Sequence, residues 1–221
     1  MGRLEGKLIM ITSGPTRAYL DSIRYVTNKS TGRLGSLLAH EALKEGAEVA
    51  FIYGKGSMKP SPKQEKGKIR MIEVETVGEV AELVRHELSS RDYFAMIHSM
   101  AVLDFEPAER MEGKVGSEEG EWVIRLVRTP KIIDIVKGIS PKTILVGFKL
   151  EYGLDEGSLI EEAIKTMKRS GADLILANDM KSIEAGKHIG YLLDRDRGLI
   201  GRFYGKRAIA KGIIEELGRR G

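Results

Sequence analysis

The stretch Leu8-Ile9-Met10-Ile11-Thr12-Ser13-Gly14-Pro15-Thr16-Arg17 decides the fold. It runs on through Asp21-Ser22-Ile23-Arg24-Tyr25-Val26-Thr27-Asn28-Lys29-Ser30-Thr31-Gly32-Arg33-Leu34-Gly35. Leu8 to Ile11 is an apolar run of strand length, and Leu34, Leu37, Leu38 and Ala42 recur at the spacing of one helix face. A strand that passes into a helix through a glycine- and hydroxyl-rich loop gathers free backbone N–H groups at the positive end of a helix dipole. A phosphate or carboxylate is favoured there. Such loops are usually a few residues long, whereas this one runs to about twenty, a length that commonly serves a function.

The alternation continues outward. The first helix ends near Gly46, and strands are predicted over Glu48 to Tyr53 and Lys68 to Val74, with an exposed, mobile loop from Gly54 to Gly67. Thr76 and Glu79 form a capping box for a helix whose buried stripe is Val77, Val80, Val84 and Leu88. Phe94 to His98 is a short buried strand leading into Ser99 to Phe105, and Glu106 to Glu121 is a second long polar loop, carrying Lys114 between Gly113 and Gly116. Trp122 to Val127 is predicted as a strand, and Thr129-Pro130 as a helix opening with proline in the first position. Thr143 to Phe148 is a strand, and Ser158 with Glu161 forms a second capping box above inward Leu159, Ile160, Ala163, Ile164 and Met167. A last buried strand covers Asp173 to Ala177. A hairpin joins Ile189 to Leu193 with Leu199 to Tyr204, and a helix spans Lys206 to Leu217.

Strands alternating with helices predict an α/β fold: a doubly wound, mainly parallel Rossmann-like sheet with helices on both faces and a C-terminal hairpin. No internal repeat or linker divides it, so residues 1–221 are read as a single domain. Ligands in such sheets sit beyond the carboxyl ends of the strands. The opening loop, the Ala101–Lys114 segment and the region after Phe148 are therefore expected to share one crevice.

Composition removes several classes of function. There is no cysteine, which excludes disulfides, thiolate catalysis and Cys-ligated metal. No apolar run approaches the ~20 residues of a membrane span, and no signal-peptide region precedes the first strand, so a soluble cytoplasmic protein is expected. The 36 cations and 32 anions are interspersed, leaving a net charge of +4 and no basic block with interleaved aromatics; no nucleic-acid partner is expected. Charged residues abound while Asn occurs only at Asn28 and Asn178 and Gln only at Gln64, a thermophile-like usage.

The commonest catalytic signatures are missing: no Walker A pattern, G-x-G-x-x-G, H-E-x-x-H or G-x-S-x-G. Tyr25 and Lys29 have the spacing of a short-chain dehydrogenase pair but lie in the opening loop, and the four histidines are scattered. What remains is amide, hydroxyl, backbone and cation chemistry, which suits catalysis by positioning and charge neutralisation. Asn28 can donate and accept towards a carboxylate or acyl group, or simply cap its loop. Lys114 could fold over a triphosphate, or be an ordinary solvated lysine. Lys165, Lys168 and Arg169 share a helix flank that could face a polyphosphate, or pair with Glu161 and Glu162 at helical spacing.

These residues carry a family likeness. Ile11 to Arg17, then Asp21, Arg24-Tyr25, Asn28, Ser30-Thr31-Gly32 and Gly35, resembles the opening of phosphopantothenoylcysteine synthetase, in bacteria the carboxy-terminal half of a bifunctional coenzyme A biosynthesis flavoprotein. Ala101-Val102, Asp104-Phe105, Lys114, Thr129-Pro130, Val146-Gly147-Phe148 and Ala172 to Asp179 follow in that family's order, so the resemblance covers nearly the whole chain. It implies a ligase joining 4′-phosphopantothenate to L-cysteine with a nucleoside triphosphate, CTP preferred over ATP, and Mg2+ or another divalent cation. The substrate carboxylate attacks the α-phosphate, and the cysteine amine then displaces the nucleoside monophosphate.

By matching position, the resemblance implies that Asn28, Ser30, Thr31, Gly32, Met100, Ala101 and Asp104 bind the substrate, with Arg24 entering from the partner subunit of a homodimer. Gly14, Asp104, Lys114, Pro130, Lys131, Ile132, Ile133, Phe148, Lys165 and Arg169 would hold the nucleotide, with Asn28 and Lys114 catalytic and the metal ligands unassigned. No flavin is expected, and a separate decarboxylase is a candidate partner. This chain departs from the family at three points. A lysine cluster is reduced to Lys114, two triphosphate lysines fall nearest Lys165 and Arg169 only after a one-residue shift, and Met100 replaces an alanine. Two rival readings share the fold: an NADP-dependent oxidoreductase, with Lys55 and Lys59 near a 2′-phosphate, and a non-catalytic nucleotide-binding protein.

Overall fold

The computed structural model describes residues 2–61, 67–118 and 120–221. In chain order its elements begin with β1 (Leu8–Ser13), β2 (Arg17–Tyr19), β3 (Tyr25–Thr27), α1 (Arg33–Lys44), β4 (Glu48–Gly54), β5 (Lys68–Val74), α2 (Val77–Ser90) and β6 (Ala95–His98). There follow β7 (Phe105–Pro107), β8 (Leu126–Arg128), α3 (Ile132–Ile139), β9 (Ile144–Glu151), α4 (Glu156–Ser170), β10 (Leu174–Asp179), α5 (Met180–Glu184), β11 (Ile189–Asp194), β12 (Gly198–Tyr204) and α6 (Lys206–Gly218).

The central sheet runs β12-β11-β10-β9-β6-β1-β4-β5. The six strands from β5 to β10 in that row are parallel, and the β11–β12 hairpin extends the edge antiparallel to them. The chain winds outward from β1 through β4 and β5, then returns to the other side of β1 at β6. That reversal creates the switch point at which ligands gather, and the predicted α/β sheet is the one observed.

Both faces of the sheet are covered, which is why its strands read as apolar runs rather than alternations. Met10, Ala50 and Ile52 face a core shared with α2, α3 and α4. Their neighbours Ile9, Ile11 and Phe51 face a second core with α1 and α6. Each fully buried Leu, Ile or Phe here contributes about 1.5–3 kcal/mol. The Thr76–Glu79 capping box is present, with Thr76 Oγ1 accepting Glu79 N–H at 3.2 Å and the Glu79 carboxylate accepting Thr76 N–H at 3.3 Å.

Several local expectations fail for identifiable reasons. Asp155, not Ser158, caps α4: its carboxylate accepts Ser158 N–H at 3.0 Å and the Ser158 hydroxyl at 2.9 Å, so the helix starts earlier. Leu159, Ala163 and Met167 are buried as expected, but Ile164 is exposed, because the inward stripe continues through Thr166 and Ser170 instead. Pro130 lies before the Lys131 cap of α3, because Thr129 is already committed, its hydroxyl to Leu103 O (2.5 Å) and its N–H to Asp104 O (3.0 Å). Of the Trp122–Val127 stretch only Leu126 and Val127 become strand, continued by Arg128. This strand pairs with β7 off the main sheet, where Val123 is 82% exposed.

The opening loop contains the β2–β3 hairpin, and α5 is a further element too short to show a period. The loop expected over Gly54–Gly67 includes residues 62–66, outside the described part. Its first residues are not free, since Lys55 N–H donates to Val74 O (2.9 Å) and Met58 N–H to Thr31 O (3.0 Å). Among the described residues no helix is long and apolar enough to cross a membrane.

Candidate functional site

The site grows from the end of β1. Gly14 has φ 79°, and a Cβ there would stand 1.8 Å from Ser57 Oγ, so only glycine fits. Ser13 Oγ donates to Gly32 O at 3.1 Å, and Gly35 packs so tightly on Ser13 that a Cβ would meet its Oγ at 2.2 Å. The end of β1, the end of the loop and the start of α1 are thereby drawn together. Ser57 Oγ is buried in this knot and has no hydrogen-bond partner among the described residues.

The opening loop is sewn to the segment after β6. Ala101 N–H donates to Gly14 O (2.8 Å), Thr16 N–H to Ala101 O (3.3 Å), and Leu103 N–H to Thr16 Oγ1 (2.9 Å). Asn28 Nδ2 donates to Ala101 O at 3.0 Å and to Val102 O at 3.3 Å. Both acceptors are carbonyls, so the NH2 group must face them and Oδ1 remains as an acceptor. Asn28 therefore braces its loop. The half of its amide left for a ligand is the oxygen.

The second long loop is held along the same seam. Ser22 N–H donates to Gly113 O (2.9 Å) and Met111 N–H to Leu20 O (2.9 Å). Asp21, fully buried, accepts Ile23 N–H (2.8 Å), Arg24 N–H (2.7 Å), Val115 N–H (3.3 Å) and Arg24 Nη1 (3.0 Å). Burial alone would raise the Asp21 pKa; these N–H donors and the guanidinium outweigh it and hold the carboxyl below its ordinary value. Arg24 also reaches Val115 O at 3.3 Å and lies 5.4 Å from the Trp122 ring, so it is anchored within its own chain. Lys114, exposed, sits between two residues bonded to the opening loop.

Asp104 lies at the mouth, exposed, with Lys131 Nζ at 2.5 Å. The Ile132 and Ile133 side chains are in the core and leave only backbone for a ligand; Met100 is likewise buried. Phe148 packs on the α1/α6 side. Lys165 pairs with Glu162 at 2.6 Å, the helical-spacing alternative for that flank, whereas Arg169 pairs with Asp134 of α3 at 3.3 Å. Lys55 and Lys59 are likewise paired, with Glu75 (3.4 Å) and Glu73 (3.9 Å). The structure thus joins Gly14, Arg24, Asn28, Gly32, Ala101, Asp104, Lys114 and Lys131 along one seam, and leaves Lys165 and Arg169 engaged elsewhere.

Sequence reading missed Asp21 as the clamp, although its bonds to residues two and three ahead follow the ordinary aspartate turn pattern. It also missed His98, buried, with Nδ1 2.7 Å from Thr12 Oγ1. Burial pushes the His98 pKa down to about 4, so the ring is neutral at physiological pH. Among the described residues no group of three or more His, Asp or Glu could hold a metal ion. A Mg2+ ion bound mainly by substrate phosphates needs only one or two carboxylates, a mode that Asp104 fits. Ile23, Phe105, Val123 and Leu126 are exposed apolar side chains on or beside the two small arms, and Val123 lines a cavity of about 170 Å³ together with Leu20, Met111, Trp122 and Arg125.

Residues 4–219 match the family described as the DNA/pantothenate metabolism flavoprotein C-terminal domain. The chain is 42% identical over 193 residues to the coenzyme A biosynthesis bifunctional protein CoaBC of Thermococcus kodakarensis, covering 87% of this chain and 46% of that protein. It is 37% identical over 186 residues to the Bacillus subtilis protein of the same name, covering 83% and 43%. The chain spans about half the length of the curated relatives it matches. The crystal structure of the DNA/pantothenate metabolism flavoprotein from Streptococcus pneumoniae superimposes with a TM-score of 0.87 at 31% identity, over 98% of this chain and 100% of that one. A complex of the Cab2 mutant H337A with phosphopantothenate-cysteine shares the fold, with a TM-score of 0.78 at 19% identity over 97% and 86% of the two chains.

Proposed function

The chain belongs to the family of the DNA/pantothenate metabolism flavoprotein C-terminal domain, and on that premise we propose that it is a ligase of coenzyme A biosynthesis. It joins 4′-phosphopantothenate to L-cysteine using a nucleoside triphosphate, CTP in preference to ATP, with residues 1–221 acting as one domain. The observation that carries this reading is the junction of Asn28 with the Ala101 and Val102 carbonyls, at the switch point of the sheet.

In the first step the substrate carboxylate attacks the α-phosphate. A P–O bond forms, the bond to the β-phosphate breaks, and pyrophosphate leaves. Lys114 neutralises charge on the departing group, and Lys131 exchanges its Asp104 partner for phosphate oxygens. Asp104 would help hold a divalent cation brought by the triphosphate, which would supply further charge neutralisation. In the second step the cysteine amine attacks the acyl carbon, the nucleoside monophosphate leaves, and the amine loses a proton. Asn28 Oδ1, its NH2 already committed, accepts an N–H of that amine and aims its lone pair at the carbon.

The exposed apolar arms support a homodimer, since a patch of this kind on a soluble protein marks an interaction surface. Packing there brings Arg24, stiffened by Asp21, to the partner's crevice. A separate decarboxylase would consume the product, and the chain itself needs no flavin.

The decisive assay follows pyrophosphate with phosphopantothenate, cysteine, Mg2+ and either CTP or ATP. Release with CTP exceeding that with ATP is expected. Phosphopantothenate binding without pyrophosphate from any nucleotide would overturn the ligase reading in favour of a non-catalytic binder. An NADP-dependent oxidoreductase gains no support, because the loop after β1 carries no G-x-G-x-x-G fingerprint for a dinucleotide pyrophosphate.

A further inference from the structure

Three basic residues beside the crevice play no part in the steps above. Arg33 opens α1, Lys206 opens α6, and His188 lies beside Gly205 at the end of the β11–β12 ladder, its carbonyl accepting Gly205 N–H at 2.7 Å. The two helices lie side by side on one face of the sheet, sharing Leu38, Ala42, Ile209 and Ile213 in one core, which brings their first turns together. Each is preceded by a glycine of positive φ, Gly32 at 74° and Gly205 at 83°, so neither helix has a capping side chain. At α1 the Arg33 N–H makes one long bond, to Thr31 Oγ1 at 3.4 Å, and the later first-turn N–H groups, like those of α6, have no side-chain cap.

The cluster is electrostatically unbalanced. Burial and the charge of Arg33 lower the Lys206 pKa, and burial together with Lys206 lowers that of His188. His188 Nε2 is buried with no hydrogen-bond partner among the described residues. None of the three forms an ion pair among the described residues. Lys55, Lys59, Lys131, Lys165 and Arg169, by contrast, all have carboxylates. Lys206, partly buried near Arg33 with no carboxylate partner among the described residues, is a charge that a bound anion would relieve.

We propose that Arg33, Lys206 and His188 hold a phosphate monoester, the terminal phosphate of the pantothenate-type substrate. This rests on the ligase reading and adds a second anion site to it. The substrate carries its carboxylate and its phosphate at opposite ends of an extended chain, so it needs two separated sites. The nucleotide groups Asp104 and Lys131 adjoin α3, which packs on the opposite face of the sheet from α1 and α6. Asn28 and Ala101 lie between. A compact dianion fits two cations, an imidazole N–H and two helix starts without any loop having to close.

Lys206→Met keeps the buried stem and removes the charge. In steady-state pyrophosphate assays its KM for phosphopantothenate should rise roughly tenfold or more, the loss expected for one charge-assisted hydrogen bond. The KM values for nucleotide and cysteine, and the rate with dephosphorylated pantothenate, should stay at the parent's level. The apo protein should melt no lower than the parent, because a repulsion has been removed. Arg33→Gln, at an exposed position, should show the same selective KM change and guards against misfolding of the first variant. A KM change confined to the nucleotide, or none in either variant, would overturn the proposal. Inorganic phosphate separates the two readings: it should raise the melting temperature of the parent and do so less in Lys206→Met. If the parent releases no pyrophosphate yet that difference remains, the ligase reading falls and the anion site stands. If turnover is intact and the difference is absent, the site falls alone.

Discussion

The two loops that meet at the crevice are built in opposite ways. The opening loop is saturated: its carboxylate Asp21 is fully buried and accepts three backbone N–H groups and a guanidinium. Just before the second loop stands Asp104, whose side chain is 59% exposed and pairs with one lysine, and the loop carries Lys114 in the open. A buried polar group with every bond made acts as scaffold, because losing any partner costs a desolvation penalty. An exposed, singly paired charge can exchange its partner for a ligand at little cost. The opening loop therefore sets geometry and offers a ligand only the free oxygen of Asn28, whereas the second loop supplies the charges that can exchange partners.

Four substitutions test that contrast, ordered by their expected effect on turnover. Asp21→Ala should be the most severe, with the largest fall in melting temperature of the set and pyrophosphate release abolished as the loops part. A near-parental melting curve would break the division between scaffold and chemistry. Asn28→Ala should lower turnover on the order of 100-fold. It should also cost about 1 kcal/mol of stability through its two carbonyl contacts, measured as a shift in urea midpoint. Unchanged turnover would confine Asn28 to bracing. Lys114→Ala should slow nucleotidyl transfer roughly tenfold, the scale of one charge-assisted contact, with the melting temperature unmoved. Full activity would remove Lys114 from the site.

The smallest effect on turnover is expected from His98→Gln, since the ring touches neither loop's exposed groups. Its signature is pH dependence. With an ordinary value of 6.5 and a folded value of about 4, the unfolded chain takes up the proton first. Stability is thus level above about pH 6.5 and falls as pH drops towards 4. Urea midpoints across that window should lose part of their slope in the variant. An unaltered slope would show that His98 is not the group responsible.

Much of the architecture was legible locally. The apolar runs, the Thr76–Glu79 box and the β11–β12 hairpin each depend on residues a few positions apart, and each formed as read. Trp122–Val127 was misread because an apolar β-prone run becomes sheet only where a partner edge exists, and the available edge was the short β7. The start of α4 was missed because Asp155 and Ser158 are comparable caps by type, and only the fold shows Ser158 donating both its N–H and its hydroxyl to Asp155.

At the site, residue types were readable and partners were not. Asn28 was a sound candidate, but nothing in the chain order said which side of its amide Ala101 and Val102 would occupy. The cations Lys165 and Arg169 looked equivalent to any other until Glu162 and Asp134 were seen to hold them.

By itself the sequence determined the succession of strands and helices, the family likeness and the stock of amide, hydroxyl and cationic groups, because periodicity and motif spacing are properties of neighbours along the chain. Only the tertiary structure decided which charges are neutralised. Arg24 meets Val115 and Arg33 comes near Lys206 because the sheet and its two helical layers carry distant segments to one edge. Coulomb and hydrogen-bond energies depend on separation in space, not in sequence.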